Sequence, residues 1–177
     1  MLTKTELRQE IRRRKAAYPL EERATLSRAV ISLLSATPQW QQAHTVLLYH
    51  ALPDEVETHD LIQQAIDAGK QVLLPVVVGD NLELRCLPTP EALHEGAFHI
   101  LEPNGEAFTE FSVIDLAVIP GVAFTADGRR LGRGRGYYDR LLAHLNNVYK
   151  LGICWPFQLV ESLPTESHDI MLDAVIS

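Results

Sequence analysis

Residues 72–78 read Val-Leu-Leu-Pro-Val-Val-Val, seven positions without a polar side chain. A strand that is apolar on both faces has to be covered on both faces. That is the situation of an interior strand in a parallel sheet flanked by helices. Shorter apolar runs at Thr45–Tyr49, Ile114–Pro120, Tyr149–Cys154 and Leu172–Ile176 read as further strands. Two long helical patterns come first. Thr3 precedes one over residues 3–17, with Leu7 and Ile11 on one face, and Glu6 three residues after Thr3 completes a capping box. Pro19 ends it. A second helix over 21–35 carries Leu26, Ala29, Val30, Leu33 and Leu34 as its stripe, and Pro38 closes it.

The remaining segments alternate. Thr58 is the expected N-cap of a helix carrying Leu61, Ile62, Ala65 and Ile66 and ended by Gly69. After a turn at Gly79-Asp80-Asn81, Leu82, Leu84 and Cys86 alternate with Glu83 and Arg85, which predicts a half-exposed strand antiparallel to the previous one. Thr89-Pro90-Glu91 starts a short helix, and residues 95–112 and 121–128 read as irregular connections. This order of elements predicts an α/β fold with a mostly parallel or mixed sheet, in one domain spanning 1–177.

Bulk properties narrow the function. A net charge of −7 excludes a general nucleic-acid binder, although the arginines cluster at 8–14 and 129–140. Two cysteines without close spacing fit a reducing compartment and no metal cluster. No signal-like segment opens the chain, and no apolar run is long enough to span a bilayer, so the cytoplasm is the expected location and no membrane partner is expected.

The chemistry concentrates in Arg130-Leu131-Gly132-Arg133-Gly134-Arg135-Gly136-Tyr137-Tyr138-Asp139. This segment lies between the apolar run ending at Pro120 and a helical pattern of Tyr138, Leu141, Leu142 and Leu145. It is neither a Walker A loop nor a dinucleotide fingerprint. Glycines at alternate positions allow close backbone approach, and their N–H groups can form an anion-binding concavity. Arg130, Arg133 and Arg135 add forked donors suited to phosphate oxygens. Asp139 is explained by the helix dipole, and equally suits Mg²⁺ shared with substrate phosphates. For Glu57 two readings stand: favourable placement at a helix start, or a ligand contact at the C-terminal end of a strand.

Four segments, Lys4-x-x-Leu7-Arg8, Glu57-Thr58, Pro120-Gly121-x-Ala123-Phe124 and Arg130 to Asp139, occur in an order and spacing that resemble the 5-formyltetrahydrofolate cyclo-ligase family. The resemblance implies a three-layer α/β domain of the kind shared with phosphosugar isomerases and CoA transferases. It implies Mg²⁺-dependent use of ATP to convert 5-formyltetrahydrofolate to 5,10-methenyltetrahydrofolate through a phosphorylated formyl group. It further implies that Lys4, Arg8 and Arg130, with Gly132, Arg133, Gly134, Arg135, Gly136, Tyr137 and Tyr138, bind ATP, Arg130 being the principal phosphate contact. Leu52, Glu57, Gly134, Gly136 and Tyr137 would contact the folate, Asp139 and Asp173 the metal, and Arg130 and Glu57 would carry catalysis. A monomer is expected. The competing readings are a non-catalytic folate or nucleotide binder and, on fold analogy alone, a phosphosugar enzyme.

Overall fold

The computed structural model describes residues 2–167 and 169–177. Its elements in order are α1 (Lys4–Ala16), α2 (Leu20–Ser35), α3 (Pro38–Gln42), β1 (Thr45–Leu47), α4 (His59–Asp67), β2 (Gln71–Val78), β3 (Asn81–Cys86), β4 (Leu93–Glu95), β5 (Leu101–Pro103), β6 (Leu116–Ile119), β7 (Ala123–Phe124), β8 (Arg130–Leu131), α5 (Tyr137–Leu142), β9 (Tyr149–Ile153) and β10 (Ala174–Ile176). Six strands form one sheet in the order β10-β9-β6-β1-β2-β3. All neighbours are parallel except β2 and β3, which pair antiparallel from Leu73↔Cys86 to Val78↔Asn81. The expected α/β class and mixed sheet are thus present.

Side-chain alternation builds three layers. Val46, Leu48, Val72, Leu74, Leu116 and Val118 face one way and pack with Val30 and Leu34 of α2 and Leu61, Ile62 and Ala65 of α4. Their neighbours Leu47, Leu73, Ala117 and Ile119 face the other way, toward Leu141 and Leu142 of α5. A strand read from both sides needs apolar residues at every position, which is why β1 and β6 are buried throughout. Helix α1 lies apart from these layers and places Leu7 and Ile11 on Ala123 and Leu131 of the β7–β8 hairpin.

The parallel strands, numbered by their own order in the chain, run 2-1-3-4-5 across the sheet. The order reverses between β1 and β6, and the loops leaving their C-terminal ends diverge there. In a doubly wound sheet this divergence opens a crevice where ligands bind.

Several local expectations change. Pro38 opens α3 at its first turn, capped by Thr37, instead of merely closing α2. The stretches 95–112 and 121–128 contain parts of two small hairpins, β4–β5 and β7–β8, with strands of only two or three residues. Helix α5 ends at Leu142, so Leu145 is buried from the following turn instead of from the helix. Thr58 does not cap α4. Its hydroxyl donates to the Tyr49 carbonyl at 2.5 Å and accepts from the Ala51 N–H at 3.1 Å, while the Glu57 carboxylate receives the His59 N–H at 2.7 Å. Thr58 is fully buried and closes the loop that leaves β1, a use of its hydroxyl that competes with capping. Thr3 and Glu6 form the expected capping box.

Candidate functional site

A cavity of about 350 Å³ opens at the crevice. Its floor comes from the ends of β1 and β6, through Tyr49, His50, Pro120 and Gly121. One wall is the glycine-rich segment and the start of α5. The facing wall is apolar, with Leu74, Pro75 and Val77 of β2, Leu82 of β3, and Phe98, Ile100 and Leu101 of the β4–β5 hairpin. The tip of that hairpin holds Phe98 and His99 at φ 57° and 58°, a backbone region that bulky residues rarely adopt. There Phe98 stays largely exposed and carries the Arg135 guanidinium 4.6 Å from its ring centre.

The glycine-rich wall folds around guanidinium groups. Gly134, at φ 104°, and Gly136, at φ 70°, take left-handed conformations that a side chain would strain. A Cβ on Gly134 would meet the Arg8 guanidinium at 3.4 Å, and one on Gly136 would meet Arg140 at 2.8 Å. Arg8 donates through Nε to the Gly132 carbonyl at 2.9 Å and so ties α1 to the segment. Arg140 bonds the carbonyls of Asp80 and Arg135 and ties the segment to the β2–β3 turn.

Arg130 is the most enclosed of these cations, its side chain 4% exposed. It donates to the Pro120 carbonyl at 3.2 Å and to Asp139 Oδ1 at 2.7 Å, and lies 5.5 Å from the centre of the Tyr138 ring. Its Nε is buried without a partner among the described residues. A buried charged donor with a free hydrogen is an open demand for an acceptor. Arg133 instead reaches across to the loop after β1, at 2.6 Å from Asp54 and 3.1 Å from Glu55.

That loop brings a second glutamate to the site beside the expected Glu57. Glu55, not Glu57, lines the cavity. Leu52 to Glu55 form a β-turn with Pro53 at its second position, closed by Glu55 N–H to the Leu52 carbonyl at 3.0 Å. The turn folds the Glu55 carboxylate back over itself, where it accepts the Leu52 N–H at 2.9 Å. Burial pushes the Glu55 carboxyl above its usual range, a shift that the Leu52 and Arg133 contacts only partly offset. In the same cluster Asp54 pays the burial cost but ends below its usual range, because Arg133 and Lys15 outweigh it. Arg133 is desolvated too, yet its two carboxylates raise it. The difference follows exposure: Glu55 is 13% exposed, Asp54 44% and Arg133 49%.

The other expected site residues divide by position. Leu52, Gly132, Arg135, Gly136, Tyr137, Tyr138 and Asp139 join Arg130 and Arg133 on the cavity wall. Arg8 and Gly134 are not among the wall residues, but Arg8 bonds the Gly132 carbonyl of the same segment, and its guanidinium stands where a Gly134 side chain would point. Lys4, one turn before Arg8, is held by Asp169 at 3.2 Å and Glu166 at 3.3 Å. Burial lowers the Lys4 pKa, and the bonds to these two carboxylates more than reverse it. Asp173 is not brought to the cavity. Its carboxylate accepts the Lys150 N–H at 2.7 Å at the start of β9, at the end of the strands away from the cavity. Asp115 does the same for His44 and Thr45 at the start of β1, so both acids terminate strands there.

Two further cavity residues escaped the sequence reading: Glu102 on β5 and His50 just beyond β1. Neither sits in a recognisable motif. His50 does follow an apolar strand directly, which in this fold is the position of a ligand contact. Desolvation, with a smaller contribution from the neighbouring His59, lowers its pKa from 6.5 to about 4. The sign is set by proton binding: between those values the unfolded chain is protonated and the folded chain is not. Stability therefore falls as pH drops from 6.5 toward 4. The imidazole is only part-buried, so the contribution is on the order of 1 kcal/mol. Chemical denaturation across this interval is expected to show a shallower acid limb in His50→Gln than in the parent; an unchanged slope would remove His50 as its source.

The model of the 5-formyltetrahydrofolate cyclo-ligase family matches residues 1–177. The chain is 35% identical to 5-formyltetrahydrofolate cyclo-ligase of Escherichia coli, over 94% of this chain and 96% of that one. It is 28% identical to the mouse protein of the same name, over 96% and 91%. The NMR structure of 5,10-methenyltetrahydrofolate synthetase from Aquifex aeolicus superposes with a TM-score of 0.88 at 36% identity, over 99% of this chain and 89% of that one. The synthetase structure from Mycoplasma pneumoniae gives 0.78 at 26%, over 99% and 98%. With the match running from the first residue to the last and through every strand that builds the cavity, this chain belongs to the 5-formyltetrahydrofolate cyclo-ligase family.

Proposed function

We propose that this protein is an ATP-dependent cyclo-ligase that converts 5-formyltetrahydrofolate to 5,10-methenyltetrahydrofolate, releasing ADP and phosphate. The observation that carries the reading is one cavity with two chemically different walls. Arginines and glycines form one side, suited to a polyphosphate, and aliphatic and aromatic side chains with a buried acid form the other, suited to a flat heterocycle.

The chemistry needs a better leaving group than the formyl oxygen. That oxygen attacks the γ-phosphorus and ADP departs. N10 then attacks the formyl carbon, loses its proton, and phosphate leaves with the former formyl oxygen. No nucleophile from the protein is required, so the residues act by positioning and by stabilising charge. Arg130 supplies its unpaired Nε–H to a phosphate oxygen, with Arg133, Arg135, Arg8 and the N–H groups of the Gly132–Gly136 backbone around it. Lys4 reaches the outer phosphates after exchanging Asp169 for them. Tyr137 and Tyr138 border both ligands. Glu55 takes the part first expected of Glu57 and accepts N–H donors of the pterin, with Leu52 holding its carboxylate through the backbone.

The residues fit magnesium as well. The described residues contain no group of three or more metal-ligating side chains, but Asp139 presents a carboxylate at the arginine wall. One carboxylate completed by phosphate oxygens and water is a usual magnesium shell. When bound, the ion supplies neutralisation of the phosphate charge. Asp139 would hold it while keeping its bond to Arg130, whose Nε is left for phosphate. Asp173, which bonds the Lys150 N–H, is left out of this proposal.

Incubating the purified protein with 5-formyltetrahydrofolate and Mg-ATP is expected to produce the near-ultraviolet absorbance of the methenyl product. One ADP should form per product, and chelation of magnesium should stop the reaction. Tight folate binding with no product and no ADP would instead identify a sequestering protein and overturn the reading.

A further inference from the structure

Three carboxylates line the cavity, and two of them are engaged. Glu55 spends one oxygen on the Leu52 N–H and the other on Arg133, and Asp139 is bonded to Arg130. Glu102, on β5, is buried as well. Among the described residues its carboxylate meets only His94, whose Nε2 lies 3.8 Å from Oε1, beyond hydrogen-bond distance. His94 is its cross-strand partner in the β4–β5 hairpin and is partly exposed. Glu102 is held by shape instead. Its carboxylate lies across Gly96, where a Cβ would come 2.0 Å from Glu102 Cδ and 2.1 Å from Oε1. Gly96 has φ −111°, which any residue adopts, so the backbone does not ask for glycine there. Room for the Glu102 carboxylate does.

We propose that Glu102 is the catalytic base of ring closure, taking the proton from N10 as N10 bonds to the formyl carbon. The inference rests on the cyclo-ligase reading and assigns a residue to its second half. The N10 lone pair forms the new N–C bond. The N10 proton passes to a Glu102 oxygen, and its bonding pair stays on nitrogen. The bond from the formyl carbon to oxygen breaks, and its pair leaves with phosphate. Guanidinium groups of the glycine-rich wall cannot accept a proton. Glu55 has both oxygens engaged, and Asp139 stands among the arginines with the phosphate. Glu102 comes from the facing hairpin, so proton and phosphate depart to opposite sides of the cavity. His94, beside it and partly exposed, gives the proton a route on to solvent.

Rapid mixing of excess protein with 5-formyltetrahydrofolate and Mg-ATP separates the two halves of the reaction. ADP reports phosphoryl transfer, and the methenyl absorbance reports ring closure. A positioned base accelerates its step by about a hundred- to ten-thousandfold. Glu102→Gln keeps the shape of the side chain and removes its basicity. It is expected to form ADP at the parent rate while ring closure slows by about a hundredfold or more. Gly96→Ala keeps the carboxylate but pushes its flexible end aside. It is expected to slow ring closure by about ten- to a hundredfold, again without slowing ADP formation. Combined with Glu102→Gln it should add nothing, because one contribution is being lost twice. Ring closure at the parent rate in Glu102→Gln overturns the proposal. Equal slowing of ADP formation and ring closure overturns it too, being the mark of a residue that only shapes the cavity. A parent protein that forms neither ADP nor methenyl product would instead strike at the cyclo-ligase reading, and that control tells the two failures apart.

Discussion

Arg130→Lys is expected to lower kcat/KM by about a hundred- to a thousandfold while the protein remains folded, the loss typical of removing one preorganised donor from a charge-stabilising site. Lysine keeps the positive charge but not the planar fork. Arg130 uses that fork fully: one terminal nitrogen binds the Pro120 carbonyl, the other binds Asp139, and Nε remains free and buried. An ammonium in the same place can satisfy the carbonyl or the carboxylate but cannot also present a fixed donor toward phosphate. Arg130→Ala is a harsher change. It strands the Asp139 carboxylate, whose side chain is 24% exposed, and is expected to cost about 1–3 kcal/mol of stability besides activity. Kinetics and thermal unfolding measured on the same preparations separate the two effects. A lysine variant with more than half the parent's kcat/KM would show that Arg130 organises Asp139 and does not meet phosphate.

The second large effect distinguishes two glutamates two residues apart. Glu55→Gln is expected to raise the folate KM by about ten- to a hundredfold, the range for a hydrogen bond to a charged group. Glu57→Gln is expected to change it by less than about threefold, since its carboxylate acts only through His59. Glutamine keeps an acceptor for the Leu52 N–H, so Glu55→Gln leaves the turn intact. Its stability has a definite pH sign. Glu55 binds its proton more tightly folded than unfolded, so ionisation destabilises the parent as pH rises through the interval between the two pKa values. The glutamine variant lacks that decline. A reversal of the two folate KM effects, with Glu57→Gln the more damaging, would return the folate contact to Glu57.

What the sequence discloses and what it conceals have physical reasons. The strands β1, β2, β6 and β9 are buried on both faces and so announce themselves as apolar runs, and the alternation of Leu82 to Cys86 marks the antiparallel edge. Thr3 and Glu6 cap α1 as expected because that pairing depends on local spacing alone. The hairpins β4–β5 and β7–β8 have no such signal, being too short for any period to register. In the cavity, the glycine-rich wall was legible because its glycines and arginines are contiguous. The loop from His50 to Thr58 was not, because it is irregular, and which of its carboxylates points inward depends on one turn at Pro53 and on Thr58 reaching back to Tyr49. Asp173 was expected at the metal from the family resemblance, and a position along the chain does not reveal which end of a sheet it occupies. Here it is the end away from the cavity.

The measurement closest to the heart of this account follows the formyl oxygen itself. 5-Formyltetrahydrofolate labelled with ¹⁸O in the formyl group, turned over by the protein with Mg-ATP, is expected to deliver one labelled oxygen to inorganic phosphate for each methenyl product, read by mass spectrometry. Methenyl product formed while the label appears in water and the phosphate stays unlabelled would contradict transfer of the phosphoryl group to the formyl oxygen.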